Sequence, residues 1–193
     1  GGLNPDRHFE VQADPTRPGK GCYYVGKRKI EDTAPPGDYT FRRALVRSSN
    51  SYFIDAGLQF GIERIVSLAE KFHFGERTGL PTRQETKGEF PDLRYIRSGW
   101  SEGDTANICI GQGKVSVTPL QMAVAYSAIA NGGNIFWPRL VMRIEPQDQT
   151  QPETATNFPT AMLRDRIGVS TRSLRILREA MLAETEDSEG TGQ

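Results

Sequence analysis

The sequence predicts a fold of several well-signalled helices with only brief strand signals, and three observations lead there. Residues 120–130 form an apolar run with both ends signalled. Thr118 fits an N-cap, Pro119 a first helical position and Gln121 the end of a Thr-x-x-Gln capping box, while Asn131-Gly132-Gly133 fits a left-handed stop. Ile62, Ile65, Val66, Ala69 and Phe72 recur at helical spacing, as do Leu174, Leu177 and Met181 after Ser170. Strand signals are brief by comparison: Cys22-Tyr23-Tyr24-Val25 is a short aromatic run turned at Gly26.

Taken in order, residues 1–39 are rich in Gly and Pro and read as a β-ribbon with polar loops, its strands near 22–30. Asp38-Tyr39-Thr40 opens a short helix that runs into Ser48-Ser49-Asn50, and residues 51–60 are apolar on most faces. The amphipathic helix that follows ends at Gly75. Residues 77–107 are polar and broken by Gly and Pro, and so read as a long irregular connection. Residues 108–117 carry a strand-like run. The helix 119–130 is apolar nearly all round, which predicts a buried hub. Leu140, Met142 and Ile144 alternate with Arg139, Val141 and Arg143, a half-buried strand signal within 136–144. Residues 145–160 form a polar low-complexity linker, and the last helix dissolves into an acidic tail at 184–189. The expected organisation is one partial domain: ribbon 1–39, helical part 40–133, strand 134–144, linker 145–160, and helix with tail 161–193.

Composition narrows the function. With 24 Lys plus Arg against 24 Asp plus Glu, no net field attracts nucleic acid or an anionic membrane. A hydrophobic content of 36% and a mean hydropathy of −0.53 are low for 193 residues, and the polar loops account for part of that. No apolar run approaches the ~20 residues that span a bilayer, and Gly1 does not open a signal peptide. Residues 1–6 read as the tail of an element that begins earlier. Cys22 and Cys109 have no CxxC or CxxH partner and read as two unrelated thiols, with a disulfide as the lesser alternative.

Candidate chemistry centres on Ser48-Ser49-Asn50. A hydroxyl and a carboxamide two residues apart can point the same way from a turn, the first to relay a proton and the second to hold a peptide group. The commoner local reading is that Ser49 or Asn50 caps the next helix. Other chemistries have little support. The histidines are His8 and His73, neither of which falls in a triad pattern, and no GxSxG elbow exists. His8, Asp14, Cys22 and Asp32 match no compact zinc spacing, so neither a metal nor a cofactor is expected. Glu102 and Asp104 read as solvated loop carboxylates. Gly111-Gln112-Gly113 lacks the Lys-Ser/Thr ending of a phosphate loop.

Ser48-Ser49-Asn50, then Trp100 with Gly103-Asp104-Thr105 and Asn107, then IGQG, VTPLQMA and IANGG in this order, resemble the transpeptidase domain of class B penicillin-binding proteins over most of the chain. The elongation (cell-shape) type is the nearer resemblance and the division type the alternative. The implied fold is the penicillin-binding protein transpeptidase, serine β-lactamase-like α+β fold. That family builds its site from Ser-x-x-Lys, Ser-x-Asn and Lys-Ser/Thr-Gly. Only the middle motif is here, as Ser48-x-Asn50: no serine has a lysine three residues later, and none of Lys20, Lys27, Lys29, Lys71, Lys87 and Lys114 precedes Ser/Thr-Gly.

The chain therefore resembles the segment between the two outer motifs, and by itself is expected to be inactive. The resemblance implies a parent D,D-transpeptidase that cross-links stem peptides through a serine acyl-enzyme and binds β-lactams. Ser48 is the implied proton shuttle, with Asn50 and Ser49 as substrate contacts. Gly111, Gln112, Gly113, Thr118, Pro119 and Gln121 are implied support that packs beneath the site and fixes the Ser-Ser-Asn loop. Implied partners are the peptidoglycan stem peptide, β-lactams, a membrane glycosyltransferase and elongation-complex proteins, on the periplasmic face of the inner membrane, with no nucleic acid. A non-catalytic interaction scaffold and a β-lactam sensor or β-lactamase relative are the alternatives. Without the strand of the third motif, uncovered apolar surface is expected to cause self-association.

Overall fold

A computed structural model describes residues 3–80, 84–147 and 155–192. The chain opens with four short strands, β1 (Phe9–Ala13), β2 (Gly21–Val25), β3 (Arg28–Glu31) and β4 (Gly37–Tyr39), in one antiparallel sheet of order β3-β2-β1-β4. The β2–β3 hairpin turns at Gly26, whose φ of 57° is the left-handed conformation that such a tight turn favours. The ribbon expected near 22–30 is thus present.

Helices follow in quick succession: α1 (Phe41–Val46), α2 (Asn50–Phe60) and α3 (Ile62–Lys71). Val11, Tyr39, Ala44 and Tyr52 form one buried cluster that joins the sheet to α1 and α2, with the Phe9 ring edge-on to Tyr52 at 6.1 Å. The stretch 77–107, expected to be irregular, contains α4 (Leu93–Arg97) and most of α5 (Glu102–Cys109). Both have side-chain caps, Asp92 accepting from the Tyr95 N–H at 2.7 Å and Ser101 forming a capping box with Asp104. Asp104 is therefore a helix-start residue, its carboxyl held below its ordinary value chiefly by the Ser101 hydroxyl. The Ser-x-x-Asp signal was readable, yet the surrounding polarity masks a helix whose inner face is small. α5 packs across α2 through Ile54 and Ala106, and Ile108 and Cys109 end this helix instead of starting a strand. Only Ser116, bridged to Glu89, pairs in sheet fashion within 108–117.

α6 (Pro119–Ala130) starts and stops as the sequence indicates, with Thr118 and Gln121 in a reciprocal capping box. It is not a buried hub, however. Gln121, Ala125 and Ala128 are buried, whereas Tyr126 is 51% exposed. Its partners lie on one side: β5 (Asn134–Phe136) and α7 (Thr171–Glu186), with Ala128, Ile135, Ile167 and Leu174 in a common core. The run 139–144 is also corrected. Leu140, Met142 and Ile144 are exposed, and only β6 (Arg143–Ile144) is a strand, paired with β7 (Thr156–Asn157). Alternation defines a face; no surface in the described residues covers this one. Of the 145–160 linker, residues 148–154 lie outside the described residues. β8 (Leu163–Arg166), which pairs with β5, was not expected, because its residues are mostly charged. α7 starts at its Ser170 cap and stays helical to Glu186, into the stretch expected as an acidic tail. Among the described residues no helix is long and apolar enough to cross a membrane.

Candidate functional site

The Ser-Ser-Asn triplet is the junction at which one helix stops and another starts. At the end of α1, the Ser48 N–H donates to the Leu45 carbonyl at 3.0 Å and the Ser49 N–H to the Ala44 carbonyl at 2.9 Å. These are the two bonds of a Schellman stop, which needs a left-handed residue, and Ser48 supplies it at a φ of 49°. Glycine is usual there; a serine carries a strain of about 1–2 kcal/mol. Ser49 then caps α2, its Oγ accepting from the Tyr52 N–H at 3.3 Å. Ser48 is thereby left exposed, and Asn50 half-buried in the first turn of α2.

One carboxylate holds this junction. Asp32, 2% exposed, accepts from the Ser49 hydroxyl at 2.8 Å and the Ser51 N–H at 2.7 Å on one oxygen, and from the Asn50 and Ala34 N–H groups at 3.0 Å on the other. An anion meeting the open N–H groups at a helix start is favoured by the helix dipole and by charge-assisted bonding. Two further ties come from β3 and the residues after it. The Asn50 amide donates to the Glu31 carbonyl at 2.9 Å, and the Thr33 hydroxyl to the Ser48 carbonyl at 3.1 Å. Among the described residues, the hydrogen bonds that fix the loop therefore come from residues 31–33, where the expectation had looked to 111–121 for support. Sequence spacing offers Asp32 only as a weak metal ligand, because its partners are distant in sequence and invisible to spacing.

The expected site residues do not all face one ligand. Ser48 is free to do so. Its hydroxyl lies 2.6 Å from that of Thr191, which in turn donates to the Glu184 carboxylate at 2.9 Å. Since Thr191 has one hydroxyl proton and gives it to Glu184, the Ser48 proton points to Thr191. Arg47 fastens the same C-terminal segment, 3.4 Å from the Glu189 carboxylate. Thr191 is a functional candidate whose only sequence signal is its Gly-Thr-Gly setting. Asn50 keeps its amide oxygen and one N–H for a ligand. Ser49 departs from expectation: it is fully buried, with its hydroxyl committed to Asp32 and Tyr52, so it positions the loop and cannot touch a substrate.

The support residues fall in two places. Gly111, Gln112 and Gly113 form the exposed turn after α5, where the Gln112 N–H donates to the Asn107 carbonyl at 2.8 Å. Thr118, Pro119 and Gln121 start α6. Buried Gln121 does more than close its cap, as its amide donates to the Glu76 and Lys87 carbonyls at 2.7 and 2.9 Å and clamps both ends of an intervening loop. The polar residues weighed for other chemistry have local partners. His8 pairs with Asp38, Asp14 with Lys29 at 2.9 Å, and His73 with Glu76 at 3.0 Å. Cys22 and Cys109 are free thiols, and burial pushes the Cys109 thiol up to about 11.

A helix-rich α+β scaffold that exposes a Ser-x-Asn turn from such a junction is matched along its length by one family. The penicillin-binding protein transpeptidase domain matches residues 2–193, and the chain belongs to that family, in its class B branch. Among curated relatives, it is similar to the peptidoglycan D,D-transpeptidase MrdA of Haemophilus influenzae, at 36% identity over 114 residues, which is 56% of this chain and 17% of that protein. MrdA of Salmonella typhimurium is 29% identical over 194 residues, 98% of this chain and 30% of the relative. The chain thus spans less than a third of the length of these relatives. Among solved structures, penicillin-binding protein 3 of Mycobacterium tuberculosis in complex with aztreonam has a TM-score of 0.74 at 29% identity, covering 98% of this chain and 39% of that one. Penicillin-binding protein 2 of Helicobacter pylori shares the fold at a TM-score of 0.76 and 24% identity, covering 98% and 33%.

Proposed function

We propose that this chain is the middle segment of an elongation-type peptidoglycan D,D-transpeptidase, one that cross-links stem peptides through a serine acyl-enzyme and is inhibited by β-lactams. The observation that carries the reading is the junction itself: an exposed Ser48 hydroxyl and a half-buried Asn50 amide, fixed by Asp32 in a chain that the family matches throughout. The nucleophile and its lysine belong to sequence outside this chain, as does the third motif. Within the chain, Ser48 passes a proton between the nucleophile, the lysine and the leaving amine. Its hydroxyl both donates and accepts, and its bond to Thr191 sets which way the proton points. Asn50 holds the side-chain amide of the bound peptide or β-lactam.

The partners proposed are stem peptide, β-lactams, a membrane glycosyltransferase and elongation-complex proteins, at the periplasmic face of the inner membrane. Penicillin-binding protein 2 of Helicobacter pylori, at 25% identity and a TM-score of 0.74, was solved in complex with MreC, which supports the elongation-complex reading.

The test is labelling with a fluorescent penicillin. The whole protein that carries this chain is expected to be acylated. Ser48→Ala is expected to slow acylation by roughly 10²- to 10⁴-fold, the usual range for a lost proton-transfer group. This chain alone is expected to take no label. An adduct on any serine here, or an unlabelled whole protein, refutes the proposal.

A further inference from the structure

Beside Asn50 lies a cleft of about 390 Å³ that the chemistry above does not use. Arg17 and Lys20 reach it from the loop between β1 and β2, Arg28 and Lys29 from β3, and Gln112 from the turn after α5. β3 is an edge strand of its sheet, so among the described residues no further strand covers its outer side.

The charges in this cleft are unevenly committed. Arg17 pairs with Glu31, and Lys29 pairs with Asp14 at 2.9 Å. The Asp32 carboxylate is turned inward and occupied by four donors. That leaves two cations. Lys20 has only a backbone carbonyl, that of Thr33 at 3.3 Å, and exposed Arg28 has no carboxylate partner among the described residues. A guanidinium without an acid, on the wall of a concave site beside two side-chain amides, matches the fork geometry of a carboxylate.

We propose that this cleft is a subsite for a carboxylate carried by the peptide ligand close to the amide that Asn50 holds. Arg28 makes the paired bonds, and Lys20 adds a second charge. The inference rests on the functional reading of Asn50 and deepens it: the ligand class becomes an anionic peptide, not merely a peptide.

Two penicillins separate this inference from the function it rests on. Carbenicillin differs from benzylpenicillin by one carboxylate next to the side-chain amide carbonyl. Acylation rate constants for both are measured on the whole protein that carries this chain. The carbenicillin-to-benzylpenicillin ratio is expected to fall about five- to tenfold in Arg28→Ala, as for loss of one partly exposed charge-assisted contact. A smaller fall of about two- to threefold is expected in Lys20→Ala. Arg28→Lys is expected to retain part of the preference, and added salt to lower the wild-type ratio. A ratio unchanged in both Arg28→Ala and Lys20→Ala overturns the subsite alone. Labelling by benzylpenicillin with none by carbenicillin likewise overturns the subsite alone, whereas failure of both penicillins to label overturns the functional proposal and this inference with it.

Discussion

Ser48 occupies a position where stability and chemistry pull apart. Its left-handed backbone suits glycine, yet the hydroxyl is what the proposed proton transfer needs. Ser48→Gly is therefore expected to be more stable than Ser48→Ala by about 1 kcal/mol in urea denaturation, since alanine loses the hydroxyl and keeps the strain. Equal stabilities would show that the junction imposes no such conformation. Asp32→Asn places an amide N–H₂ against groups that are already donors, and is expected to cost about 2–4 kcal/mol. A loss below about 0.5 kcal/mol would mean that the loop is held elsewhere.

Asp14 titrates usefully too. Hydrogen bonds first from Lys29, then from the Thr16 backbone, hold its carboxyl at about 2 against an ordinary 3.8. A depressed folded value stabilises the protein above the unfolded value and is lost as pH falls through the folded one. Asp14→Asn is thus expected to change the slope of stability against pH between about 4 and 2 and leave it alone near neutrality. An unaltered acid limb would contradict the Lys29 pairing.

At the scale of elements, the α2–α5 crossing shows packing overruling propensity. Gly57 sits in the interior of α2, where alanine is favoured by about 1 kcal/mol on helix propensity alone. A Cβ there would run into the Cys109 sulfur. Gly57→Ala is therefore expected to destabilise by about 1–3 kcal/mol, and to recover much of the loss when combined with Cys109→Ala. A stabilising Gly57→Ala would refute the close approach of the two helices. The same crossing explains what the sequence reading saw and missed. Helix starts at Thr118 and Ser170 were legible because their caps are local chemistry, within three or four residues. α5 was missed because its buried face is Thr105 and Ala106, too small to register as a hydrophobic stripe. Leu140, Met142 and Ile144 were over-read for the opposite reason: a clear stripe with nothing against it.

For the molecule as a whole, the consequence is open apolar surface. A cleft of about 450 Å³ between α1, α2, α3 and α7 is lined by Leu3, Phe41, Phe53, Phe72, Ile176 and Leu177, among others. Tyr126 and Leu182 add exposed apolar area on α6 and α7. Contiguous surface of this kind promotes association. The chain alone is expected to elute from sizing chromatography at a mass that rises with concentration; a single monomer peak over a hundredfold dilution series would count against it.

Taken alone, the sequence determined both ends of the helix at 119–130, the start of α7, the β-ribbon and the family, because each is written in residues close together or in a fixed order of motifs. It also named Ser48 and Asn50 as the candidates for chemistry. The tertiary structure decided what holds them, that Ser49 is buried, that Thr191 meets Ser48, and that helix 119–130 has only one covered side. Those outcomes depend on Asp32 reaching the start of a helix and on the chain's end folding back over a turn. Contacts between residues so far apart are settled by packing and hydrogen-bond closure, which leave no period or spacing in the sequence.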